Sequence, residues 1–240
     1  MCAKEALSGK VVVAFADTLF VADFTIDESK DGIIWVNKID DPRMFGVVKV
    51  NEKGVITEFV EKPETFISDL AIIGIYYFKD GEYLKNEMQY LIDNNIKDKG
   101  EFQLTNALEN MKAKGTQFFT GKVTEWLDCG NKDATVNANG RMLAIKQNEL
   151  KLPADTLKEN AVVIPPCYIG KNVKIKNSVV GPFVSLGENS KIEGSVISNS
   201  IVQSGTTVKS SILENSMLGN FAEYEGKPEQ LSLGDYSTHN

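Results

Sequence analysis

Gly194-Ser195-Val196-Ile197-Ser198-Asn199-Ser200-Ile201-Val202 and Ser210-Ser211-Ile212-Leu213-Glu214-Asn215-Ser216-Met217-Leu218 are two passes of one pattern. In each, a serine is followed by a pair of apolar residues, and the cassette then repeats. Ser195 and Ser211 stand sixteen residues apart, as do Ser200 and Ser216. Asn177-Ser178-Val179-Val180 carries the same cassette upstream. A fixed beat of this length marks one supersecondary unit stacked on copies of itself, each burying the face its neighbour leaves open. Ile169, Ile175, Val180, Leu186, Ile192, Ile197, Val202, Val208, Leu213 and Leu218 fall five or six apart and hold the phase of inward side chains. Three such sides close one coil, and about three coils are expected. Ile169-Gly170, Val180-Gly181, Leu186-Gly187 and Leu218-Gly219 set a glycine after the inward residue, where it can take a corner. A sandwich of short strands is the plainer alternative, and the long phase argues against it.

This pattern resembles the hexapeptide left-handed β-helix. Many proteins with that coil are acyltransferases that use an internal histidine as base. The chain's one histidine is His239, outside the repeats, which argues against acyl transfer. The same count removes a Ser/His/Asp triad and any histidine metal site, leaving carboxylates, lysines and a metal for whatever chemistry there is. A net charge of −7 argues against nucleic acid, which needs a basic face. No apolar run approaches the roughly 20 residues of a membrane helix, and the N-terminus lacks the apolar stretch of a signal peptide. Cys2, Cys129 and Cys167 are odd in number and have no CxxC spacing, which suits a reduced, cytoplasmic setting.

Upstream of the repeats the chain has α/β character. Residues 1–8 read as the end of a helix. Residues 10–16 form a continuous apolar run closed by Asp17, the pattern of a strand buried on both faces of a parallel or mixed sheet. Residues 32–36 and 71–78 read as further strands, and 45–50 and 55–60 flank a four-residue hairpin loop, Asn51-Glu52-Lys53-Gly54. Apolar residues at helical spacing mark helices over 83–96 and around 104–111, the second stopped by Gly115. Asn131 can cap a third helix through Ile145. These signals divide the chain into an α/β domain over 1–148, a linker over 149–161, the β-helix over 162–222 and a polar tail over 223–240.

Five short motifs follow one another in the first domain: the strand ending in Asp17, Phe45-Gly46-Val47-Val48 leading through the hairpin to Glu61-Lys62-Pro63, Gly74-Ile75-Tyr76-Tyr77-Phe78, Gly100-Glu101-Phe102-Gln103-Leu104-Thr105-Asn106, and Glu125-Trp126-Leu127-Asp128-Cys129-Gly130. Each is weak alone. In this order, and followed by a β-helix, they resemble the sugar-phosphate nucleotidyltransferases, the family of glucose-1-phosphate thymidylyltransferase. The resemblance covers roughly residues 1–222 and implies an incomplete Rossmann-like α/β domain ahead of the left-handed β-helix.

The resemblance also implies a reaction: a sugar-1-phosphate attacks the α-phosphorus of an NTP, dTTP or UTP by default, and pyrophosphate leaves. Charge gathers on phosphate oxygens, so catalysis is mostly positioning and electrostatics. By resemblance, Asp17 and Asp128 hold Mg²⁺, Lys62 neutralises the sugar phosphate, Glu61 accepts hydrogen bonds from sugar hydroxyls, and Gly46 and Gly74 let backbone approach the substrate. Trp126 is set beside the substrate, while core packing gives the indole a job whatever the function. Plainer readings stand beside these: Asp17 as a turn residue, Glu61-Lys62 as a solvated strand end, Asp128 as a helix-entry residue, Glu101 as support for a loop. The family pattern opens with a strand and a Gly-rich, arginine-bearing loop that cradles the triphosphate. None precedes residue 10 here, so the sequence reads as truncated, with weak activity expected of it alone. A non-catalytic scaffold or regulatory subunit, and self-association through the β-helix, are the accompanying expectations.

Overall fold

The computed structural model describes residues 2–23 and 25–227. It divides into two compact units, Met1–Asp128 and Cys129–Asn240. The first is built on a mixed six-stranded sheet. Its strands are β1 (Val11–Ala14), β3 (Gly32–Lys38), β4 (Val47–Val50), β5 (Ile56–Val60), β6 (Leu70–Phe78) and β7 (Phe118–Lys122), while β2 (Thr18–Val21) and β8 (Glu125–Asp128) form a separate ribbon. The order is β5-β4-β6-β3-β7, and β1 joins the second half of β6. Only β3 and β7 run parallel among these pairs.

β6 holds the centre because its side chains are apolar or aromatic and buried almost throughout. Alternate residues of β3 and β6 feed two cores. Ile34, Val36, Tyr76 and Phe78 pack with Leu84 of helix α1 (Gly81–Asp93) and with Leu108 and Met111 of helix α2 (Leu104–Ala113). Ile33, Trp35, Ile73, Ile75 and Tyr77 pack on the opposite side, against Trp126. Asp80 caps α1 by accepting from the Tyr83 N–H at 2.9 Å, and the Asn51 side chain closes the hairpin by accepting from Lys53 and Val55 N–H.

β1 departs from the sequence expectation. Its valines alternate, with Val11 and Val13 toward the core and Val12 52% exposed, so it is half-buried and, among the described residues, is paired with β6 alone. A run of valines fits either environment, and what packs on the strand decides. The expected helix end at the N-terminus is a single 3₁₀ turn, Lys4–Ala6. Strands β2, β7 and β8 carry no strong periodic signal and were not foreseen.

The second unit begins with helix α3 (Lys132–Ile145), capped by Asn131, whose side chain accepts from Ala134 N–H at 3.0 Å. The sequence reading set this helix with the first domain; in the structure it packs on the strands Val184–Leu186 and Ser200–Val202, and the Ser185 hydroxyl donates to Asn139 Oδ1 at 2.6 Å. Beyond it runs a parallel β-solenoid whose three sheets hold four, four and five strands, making about four coils rather than three. It starts inside the expected linker, since Leu157–Glu159 pairs with Lys174–Lys176, and it includes Glu223–Glu225. The coil is seventeen residues from Val162 to Val179 and on to Val196, then sixteen to Ile212.

All ten phased residues enter the solenoid core, Leu213 and Leu218 only partly buried. The beat-setting serines form a ladder: Ser195 N–H donates to Ser178 Oγ at 3.0 Å, and Ser211 N–H to Ser195 Oγ at 3.2 Å. The corner glycines need correction. Gly181 alone of the four has a positive φ. Gly170 and Gly187 serve close approach, because a Cβ there would meet the next coil's backbone at 2.6 and 2.4 Å. Half of the solenoid's left-handed positions among the described residues belong instead to asparagines: Asn160, Asn172, Asn177, Asn189, Asn199 and Asn215. Asn160 donates to Asn177 at 2.9 Å along that stack. No helix among the described residues is long and apolar enough to cross a membrane. His239 and the rest of 228–240 lie outside the described residues.

Candidate active site

β1 leads to Phe15, whose N–H donates to the Gly74 carbonyl at 2.8 Å. The chain then turns, carrying Asp17 on the turn, and Thr18 anchors it by donating from Oγ1 to the Ile73 carbonyl at 3.0 Å. β2 pairs antiparallel with β8 so that Thr18 stands opposite Asp128 and Phe20 opposite Trp126. This ribbon is what brings Asp17 and Asp128, more than a hundred residues apart in sequence, to one place.

From the other side, Gly46 precedes β4 and its carbonyl accepts from Ile72 N–H at 2.8 Å, while Lys62 N–H donates to the Phe45 carbonyl at 3.2 Å. The first bond ties the start of the hairpin to β6, and the second ties its two arms to each other. Asp17, Gly46, Glu61, Lys62, Gly74, Trp126 and Asp128 all line one pocket of about 320 Å³. The structure thus gathers every candidate residue of the sequence reading.

The glycines do different work from each other. Gly74 sits inside β6 at φ +80°, and a Cβ would touch Thr18 Oγ1 and the Phe15 side chain at about 3.0–3.1 Å. Gly46 leaves room for a carboxylate: a Cβ there would stand 3.0 Å from Glu61 Oε2 and 3.2 Å from Thr105 Cγ2. Thr105 donates to Glu61 Oε2 at 2.9 Å. Trp126 lines the pocket and also packs edge-on to Phe45 at 5.2 Å and against the second core. Its indole Nε1 is buried without a hydrogen-bond partner among the described residues.

Tyr76 stands in the pocket wall with its phenol pushed well above the ordinary value, by burial first and by the nearby Glu61 charge second. Lys62 adopts φ +39°, a left-handed conformation uncommon for lysine. Glu101 supports a turn, as read from sequence: its backbone pairs with Asp98, and its carboxylate accepts from Gln103 at 3.2 Å. Thr18, Tyr76, Gln103 and Thr105 also line the pocket. The last three lie inside the quoted motifs, the signal that could have singled them out.

The donor set fits a hard divalent cation. Asp17, Glu61 and Asp128 are the carboxylates that line the pocket, and no group of three or more His, Cys, Asp or Glu placed to hold a metal ion exists among the described residues. A cation held by one or two carboxylates completes its shell with water and phosphate oxygens, which is the habit of Mg²⁺.

Comparison with known proteins agrees in kind. The family described as nucleotidyl transferase matches residues 6–144, more than half of the chain. The bifunctional protein GlmU of Methanococcus aeolicus is 27% identical over 169 residues, covering 68% of this chain and 40% of that protein. A glucose-1-phosphate thymidylyltransferase of Streptomyces griseus is 26% identical over 228 residues, covering 86% and 63%. A glucose-1-phosphate adenylyltransferase of Clostridioides difficile is 31% identical over 140 residues, covering 57% and 35%. The chain therefore spans between 35% and 63% of the length of these three relatives. With the matched segment reaching from before β1 into α3 and containing all seven candidate residues of the pocket, the chain belongs to the nucleotidyl transferase family.

Proposed function

We propose that the pocket binds a sugar-1-phosphate with Mg²⁺, as the acceptor side of a transfer that converts an NTP and the sugar phosphate to an NDP-sugar and pyrophosphate. The supporting observation is that seven residues from five separated segments, among them Asp17, Asp128, Glu61 and Lys62, line one pocket. Asp17 and Asp128 would hold Mg²⁺, whose charge offsets that of the phosphate oxygens. Lys62 would neutralise the sugar phosphate as a point charge, and Glu61 would accept from the sugar hydroxyls. In the reaction an oxygen of the sugar phosphate attacks the α-phosphorus, the bond from that phosphorus to the bridging oxygen breaks, and pyrophosphate leaves with the electron pair. Because relatives act on glucose-1-phosphate by name, that compound with dTTP or UTP is the pair to try first.

Calorimetric titration with glucose-1-phosphate and Mg²⁺ tests the reading. Binding is expected in the wild type, weakened roughly ten-fold or more in Glu61→Gln and in Lys62→Met, as for a lost charge-assisted hydrogen bond. Absence of binding at millimolar concentrations would remove it. Pyrophosphate release by these 240 residues alone is expected to be slow. Gly46, just before β4, and Gly74, inside β6, are isolated lining glycines rather than a Gly-rich loop of the kind that cradles a triphosphate.

Self-association belongs to the same proposal. Val162, Val179, Val196 and Ile212 stand in register on the outer side of one solenoid sheet, and Ile212 is 85% exposed. A neutral row repeating at the ~4.8 Å strand spacing matches the same row of a second copy. Sedimentation velocity of wild type and Ile212→Lys measures this, and a monomer in both would exclude it.

A further inference from the structure

The segment from Asp98 to Thr105 reaches both members of the Glu61-Lys62 pair. It starts as a tight turn in which Asp98 N–H donates to the Glu101 carbonyl at 2.9 Å and Glu101 N–H returns a bond to Asp98 at 3.0 Å. The two central residues, Lys99 and Gly100, have φ of +50° and +86°, as the favoured two-residue hairpin turn requires. From that turn Lys99 Nζ donates to the Lys62 backbone carbonyl at 2.9 Å. Six residues on, at the start of α2, the Thr105 hydroxyl donates to Glu61 Oε2 at 2.9 Å. Thr105 is buried, at 6% exposure, so its hydroxyl is a fixed donor. Lys62 is strained at φ +39°, and a strained residue persists only where its surroundings hold it.

We infer that residues 98–105 act as a two-point positioning clamp, with Thr105 aiming the Glu61 carboxylate and Lys99 holding the backbone that presents the Lys62 ammonium. The inference rests on the reading of the pocket as a sugar-1-phosphate site. Lys99 lies outside the pocket lining, and the Thr105 hydroxyl is committed to Glu61. Each acts through its partner, so the two arms have separable effects. Losing the Thr105 hydroxyl frees the carboxylate that meets sugar hydroxyls and leaves Lys62 in place. Losing the Lys99 bond lets the Lys62 backbone relax and moves the cation that meets phosphate.

The experiment is calorimetric titration of the 240-residue protein with two probes, glucose-1-phosphate and inorganic phosphate, each with Mg²⁺. The variants are Thr105→Val, Thr105→Ser, Lys99→Met and Lys99→Arg, with thermal melts as a control on folding. Thr105→Val is expected to weaken glucose-1-phosphate roughly ten-fold with phosphate unchanged. Thr105→Ser, which keeps the hydroxyl, should restore most of the loss. Lys99→Met is expected to weaken both probes several-fold, and Lys99→Arg to recover them. Equal affinity in all variants, or Thr105→Ser no better than Thr105→Val, would overturn the clamp while leaving the pocket reading intact. A wild type that binds neither probe would overturn both. If Thr105→Val melts below the working temperature, the Thr105→Ser and Lys99 pairs still decide.

Discussion

Gly46 shows how little room the pocket leaves. A methyl group there would press on Glu61 and on Thr105 together, so Gly46→Ala must move one member of their hydrogen-bonded pair. The expected outcome is several-fold weaker glucose-1-phosphate binding with a melting temperature close to wild type, read by the same titration and a thermal scan. Tyr76 makes a second prediction at this scale. Its folded-state pKa is raised above the ordinary 10.0 by burial and then by Glu61. The unfolded chain therefore releases this proton first as pH rises. The stability linked to it is whole below about pH 10 and declines as pH climbs toward the folded value. Urea unfolding across that alkaline range should show a shallower decline in Tyr76→Phe than in wild type; equal slopes would assign the decline to other groups.

At the scale of elements, the solenoid separates the two apolar residues of each cassette, the first facing outward and the second inward. Val196-Ile197 and Ile212-Leu213 are the same cassette, yet Ile197 is fully buried and Ile212 almost fully exposed. Ile197→Ala removes packing from a close-packed coil and is expected to cost about 2–5 kcal/mol. Ile212→Ala is expected to change stability by less than about 0.5 kcal/mol, as an outward surface change does. Chemical denaturation of the two variants checks the contrast, and comparable losses would contradict the assigned register. The β2–β8 ribbon is the matching element in the first unit. It makes few core contacts of its own, yet without its register Asp17 and Asp128 would have no common pocket.

At the scale of the folded molecule, the two carboxylates proposed to hold Mg²⁺ share a pocket only once segments near residues 17 and 128 have come together. Mg²⁺ should therefore stabilise the native state alone, raising the melting temperature in a concentration-dependent way. Asp17→Asn and Asp128→Asn should each abolish that shift, and the double variant should add nothing further, as expected of two ligands to one ion. A shift that survives both substitutions would place the cation elsewhere.

Much of this molecule is set by residue order alone. The sixteen-residue beat, the ten phased apolar positions and the ordered motifs prescribe a coil and a pocket-forming α/β unit, because inward positions must be apolar and a repeat can bury its face only against its neighbour. Local capping signals at Asn51 and Asn131 were equally legible, since side-chain and backbone partners lie within four residues. Tertiary structure alone decided what depends on distant neighbours. It left Val12 of β1 exposed, placed α3 on the solenoid, gave half of the left-handed corners to asparagine, and reserved Gly170 and Gly187 for close approach. It also paired Thr105 with Glu61 and Lys99 with Lys62 across 44 and 37 residues. A sequence pattern records which side chains want burial or a partner; only the packed chain settles which distant group supplies it.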